Sequence, residues 1–81
     1  MRFKIELELN DDSKEILIGE CKYLNTKVDT DIFYKLVEKA NCINWNKGNR
    51  TEHYVLFSKL GFTDHLLEVS KKRDDLLLVS L

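Results

Sequence analysis

Polar and apolar residues alternate from Phe3 to Leu9, with Phe3, Ile5, Leu7 and Leu9 set against Lys4, Glu6 and Glu8. A two-residue period predicts a strand with one wet face, because successive strand side chains point to opposite sides. Asn10-Asp11-Asp12-Ser13 is a turn cluster, so the next strand should return antiparallel as a hairpin. That strand, Ile16 to Tyr23, opens on the unbroken apolar run Ile16-Leu17-Ile18-Gly19, which reads as a strand covered on both faces. After a loop over 24–28, Asp29 or Thr30 caps a helix reaching Ala40 or Asn41. Ile32, Phe33, Leu36, Val37 and Ala40 form its apolar stripe, and Lys35, Glu38 and Lys39 face outward.

The polar stretch from Asn41 to Glu52 carries two large apolar residues, Ile43 and Trp45, and Trp45 is expected to pack over the helix. His53 to Ser58 predicts a second interior strand, parallel to the Ile16–Tyr23 strand because a helix intervenes. Gly61 turns the chain, and Thr63 caps a second helix from Asp64 to Lys72 with Leu66, Leu67 and Ser70 inward. Leu76 to Leu81 closes the chain as an apolar strand. The expected architecture is α/β: one domain over residues 1–81, a mixed four-stranded sheet in the order β-β-α-β-α-β, with helices packed on it.

Length and charge narrow the function classes. A chain of 81 residues with 43% hydrophobic residues can build one core, though small domains bury only about 60% of their unfolded surface. Thirteen basic residues against 14 acidic ones give a net charge of −1, which argues against a strongly basic nucleic-acid binder. Cys21 and Cys42 form neither a disulfide framework nor a zinc motif. His53 and His65 have no metal-ligand partner at useful spacing. No apolar run approaches the roughly 18 residues of a membrane span, and the expected location is a reducing cytoplasm with no membrane partner.

The candidate chemistry sits at the exit of the second strand. Glu20 and Lys22, two positions apart, project from one face. A carboxylate there can ligate a hard cation such as Mg²⁺ or Mn²⁺, and an ammonium beside it can orient water or steady developing charge. The alternative is a solvent-facing Glu–Lys pair of little energetic weight. Glu6 is the candidate second acid, and hairpin register decides its side. A three- or five-residue loop centred on Asp12 puts Glu6 on the Glu20 face, diagonal to it at about 7–8 Å. A four-residue loop inverts the parity and instead sets Leu7 and Leu9 beside Ile18 and Ile16. Both registers are open at the level of sequence.

Two blocks, Gly19-Glu20-Cys21-Lys22-Tyr23 and Val55-Leu56-Phe57-Ser58-Lys59-Leu60-Gly61-Phe62-Thr63, resemble one family. It is the C-terminal domain of unknown function attached to archaeal ATPases of the AAA/STAND type, which is similar to the restriction-endonuclease-like PD-(D/E)xK superfamily. The resemblance runs from about Phe3 to the C-terminus. It implies a restriction-endonuclease-like core, with Glu20 and Lys22 as catalytic residues and Glu20 and Glu6 as ligands of Mg²⁺ or Mn²⁺. It further implies phosphodiester hydrolysis of DNA, and an ATPase domain as partner in full-length relatives.

The chain departs from that family in lacking the leading helix and the segment that normally precedes the hairpin. It also has no glycine-rich phosphate loop. It therefore looks like an N-terminally truncated copy. An uncovered sheet face would follow from the missing helix, and with it homo-oligomerisation. The competing expectation is a non-catalytic, degenerate interaction or regulatory domain.

Overall fold

The computed structural model describes the backbone of residues 3–10, 14–22 and 25–81, and the side chains from Leu9 onward within those ranges. Six elements follow in order: β1 (Phe3–Asn10), β2 (Glu15–Lys22), α1 (Thr30–Asn41), β3 (Thr51–Ser58), α2 (Asp64–Lys71) and β4 (Leu76–Ser80). The strands form one sheet in the order β1-β2-β3-β4. β1 pairs antiparallel with β2, and β2, β3 and β4 run parallel to one another. The α/β class and the mixed four-stranded sheet expected from the sequence are present.

Local chemistry accounts for each helix. The Asp29 carboxylate accepts from the Thr30 N–H at 2.7 Å and caps α1, and the Thr63 hydroxyl accepts from the Leu66 N–H and caps α2. Phe33, Leu36 and Ala40 form the buried stripe of α1, with Ile32 and Val37 partly buried beside it. In α2 the inward residues are Leu66 and Val69, whereas Leu67 is 39% exposed and the Ser70 hydroxyl donates to the Leu67 carbonyl. The expected Leu66–Leu67–Ser70 face is therefore displaced. Adjacent leucines in an eight-residue helix do not by themselves define a phase.

Strand-by-strand progress in one direction, β2 to β3 to β4, has a topological consequence. Crossovers between parallel strands are right-handed, so both helices come to the same side of the sheet. The core is built on that side, from Ile16, Ile18, Tyr54, Leu56 and Leu76 against Phe33, Leu36, Ala40 and Leu66. On the other side Leu17 is 37% exposed and Leu77 61% exposed. The unbroken apolar run in β2 predicts two covered faces; among the described residues one face is covered. The extents of 37 × 27 × 19 Å agree, since a third layer would add about 10 Å to the short dimension.

Two connections are held by specific groups. Gly61, at φ +86°, occupies a left-handed turn, and its carbonyl accepts from both the Ser58 hydroxyl and the Val28 N–H. The stretch after α1 is organised by Arg50, whose guanidinium donates to the carbonyls of Ala40, Ile43 and Trp45 and pairs with Glu52 at 2.9 Å. One of those carbonyls, that of Ala40, lies in the last turn of α1 and also accepts from the Ile43 N–H at 3.0 Å.

Candidate functional site

The hairpin connection spans residues 11–14, four residues, so Asn10 pairs with Glu15 and β1 and β2 meet in the inverted parity. Leu9 pairs with Ile16, Leu7 with Ile18, and Ile5, not Lys4, stands opposite Glu20. Glu6 pairs with Gly19, a position of the other parity from Glu20 and Lys22. The side chain of Glu6, named above as a candidate metal ligand, lies outside the described residues.

Glu20 and Lys22 do share a face, and it is the face covered by the helices. Glu20 lies between Ile5 of β1 and Leu56 of β3 in register and is 1% exposed. Lys22 is 8% exposed, beside Ser58 at the carboxyl ends of the parallel strands. Its Nζ stands 4.0 Å from Glu20 Oε2. The closer partner comes from α1: Lys39 Nζ donates to Glu20 Oε1 at 3.0 Å. Sequence reasoning placed Lys39 on the wet face of its helix. Its position, three residues after Leu36 and one before Ala40, puts it on the flank of the buried stripe, from which a long side chain can reach the sheet.

This trio is a charge cluster with one carboxylate and two ammonium groups. A buried carboxylate requires such compensation, because transfer of an unpaired charge from water costs several kcal/mol. The same arrangement limits chemistry. As placed, Glu20 offers a cation one carboxylate whose charge is already met twice, and Lys39, 44% exposed, stands on its solvent side. Among the described residues there is no group of three or more His, Cys, Asp or Glu set to hold a metal ion.

Residues at the strand ends nearby have structural partners. The Ser58 hydroxyl, 1% exposed, donates to the Gly61 carbonyl at 2.8 Å. The Thr63 hydroxyl donates to Asp29 at 2.8 Å, tying the starts of the two helices together. These bonds, the Thr30 N–H first, hold the Asp29 carboxyl below the usual carboxylate range. Arg73, in the basic run Lys71-Lys72-Arg73 that spans the end of α2, pairs with Asp75 at 2.8 Å and stacks over the Phe33 ring at 4.9 Å. It closes the core rather than forming a basic patch.

The opposite sheet face is different in character. A depression of about 1050 Å³ lies on it, and its lining includes Leu17, His53, Val55, Phe57, Asp75 and Leu77. His53 Nε2 stands 3.1 Å from Glu15 Oε1 at its edge. Nothing in the sequence marks this surface directly; the signal is the apolar residues of β2 and β3 that point away from the helices.

No helix of the described residues is long and apolar enough to cross a membrane. The chain matches no family model, no curated protein and no solved structure.

Proposed function

We propose that this chain is a non-catalytic interaction domain that associates with a second copy of itself. The observation that carries the reading is the apolar sheet face without a helix layer, where Leu17 and Leu77 are 37% and 61% exposed beside Val55 and Phe57. Contiguous apolar surface of this kind marks interaction sites. A net charge of −1 puts no long-range repulsion between copies. In this reading Glu20, Lys22 and Lys39 are a buried electrostatic tie between β2 and α1. An attached ATPase as a further partner rests on the sequence resemblance alone.

The second reading is a restriction-endonuclease-like domain that hydrolyses DNA, with Glu20 and Lys22 at its centre. Their common face and 4.0 Å separation at the end of β2 favour it. It requires Lys39 to leave Glu20.

Two measurements separate the readings. Light scattering after size exclusion should give a dimer whose fraction rises with concentration. Plasmid and single-stranded DNA incubated with Mg²⁺ or Mn²⁺ should be cut no faster than by the Lys22→Ala variant. A clean monomer at all concentrations overturns the first reading, and cleavage that disappears in Lys22→Ala establishes the second.

A further inference from the structure

β4 is an edge strand, and its hydrogen-bonding side can be assigned. The Tyr54 N–H donates to the Asp75 carbonyl and the Leu81 N–H donates to the Ser58 carbonyl, so residues of odd number in and around β4 turn their backbone groups toward β3. Backbone groups alternate along a strand, so those of Leu76, Leu78 and Ser80 point out of the sheet. The other edge, β1, carries Lys4, Glu6 and Glu8 in its sequence, the charged residues by which edges resist pairing. From Leu76 to Leu81 there is no charged residue and no proline.

Resting on the self-association proposed above, we infer that β4 pairs antiparallel with β4 of a second copy about a two-fold axis at Leu78, joining two sheets into one of twice the width. An outward row of donors and acceptors is complementary to its own copy when the strands run antiparallel. Only an axis at Leu78 overlaps the whole of Leu76–Ser80 and pairs outward residues with outward residues. Leu76 then exchanges hydrogen bonds with Ser80 of the partner subunit, and Leu78 with the partner's Leu78. Leu77, 61% exposed in one copy, comes directly opposite the partner's Val79 on the open face. The two depressions become continuous across the axis.

Size sets the strength. A five-residue edge is about 16 Å long and covers a few hundred Å² per copy, the range of weak, concentration-dependent dimers. Charged side chains do not oppose the pairing within the strand, since Leu76–Leu81 carries none.

The test uses the full chain with Cys21→Ser and Cys42→Ser as background, because both native cysteines are free. Leu77→Cys and Val79→Cys, oxidised separately, should each stay largely uncrosslinked, and mixed they should give a disulfide-linked heterodimer. Directly opposed positions in a non-hydrogen-bonded pair lie about 4.5 Å apart, within disulfide reach. Amide hydrogens of Leu76, Leu78 and Ser80 should gain protection as concentration rises toward about 1 mM, whereas those of Leu77 and Val79 are protected throughout. Leu77→Lys and Ser80→Pro should each abolish the dimer at least tenfold in concentration, and both positions are exposed enough to leave the monomer folded. A dimer that survives both substitutions and lacks the 77–79 crosslink overturns the edge pairing and leaves self-association by another surface. Absence of any dimer overturns both proposals.

Discussion

Glu20 is a carboxylate buried in the interior of this domain. Its carboxylate, 1% exposed, is held by Lys39 at 3.0 Å and Lys22 at 4.0 Å. Removing the shared member of such a cluster takes away the carboxylate that faces both Lys22, at 4.0 Å, and Lys39, at 3.0 Å. Glu20→Ala should therefore cost about 3–5 kcal/mol, a large share of the 5–15 kcal/mol typical of a whole domain. Lys39→Ala should cost about 1 kcal/mol, because its side chain is 44% exposed and Lys22 still faces the carboxylate. Urea unfolding of the two variants gives the ranking, and equal losses would contradict the burial argument. Tyr54 supplies a pH test. Burial first, and Glu52 second, push its hydroxyl from 10.0 to about 12. Because the folded form retains a proton that the unfolded chain releases, stability should fall as pH rises from 10.0 toward 12. The Tyr54→Phe variant should lose that part of the alkaline dependence, measured by denaturant midpoints across the range.

At the scale of elements, the connection after α1 depends on one planar group. Arg50 bridges the carbonyls of Ala40, Ile43 and Trp45 while its side chain is 3% exposed. A lysine keeps the charge but not the fork that meets several acceptors at once. Arg50→Lys should cost about 2 kcal/mol, and amide exchange should accelerate over residues 41–50 before the rest of the molecule. Uniform acceleration would show that this connection does not open separately. Helix placement has the same economy of cause. Asp29 and Thr63 each cap one helix and bond to each other at 2.8 Å, so the two starting points are set together.

The described residues form a two-layer sandwich of one sheet and one helix layer, and the second sheet face is the feature with functional consequence. Covering a leucine fully contributes about 1.5–3 kcal/mol, and each interface would use Leu77 from both copies. Association of folded copies stabilises the folded state by mass action. The unfolding temperature should therefore rise with protein concentration in the native chain and not in Leu77→Lys. A concentration-independent value for both would argue against coupling between folding and association.

Element order was readable without coordinates because it rests on local chemistry. Alternation from Phe3 to Leu9, the caps Asp29 and Thr63, the stripe of α1 and the turn at Gly61 each involve residues a few positions apart. The common face of Glu20 and Lys22 was readable for the same reason, since a strand places side chains with a period of two. Three features needed the tertiary structure. The hairpin register turned on whether the polar cluster after Asn10 spends three, four or five residues, and one residue decides the parity of Glu6 against Glu20. The partner of Glu20 came from Lys39, 19 positions away, across the gap between a helix and a sheet. The open face followed from both crossovers passing on one side, a property of how strands are ordered in space rather than of any stretch of chain. Short-range periodicity specifies what each segment is; only packing between distant segments specifies which charges meet and which surface remains available to a partner.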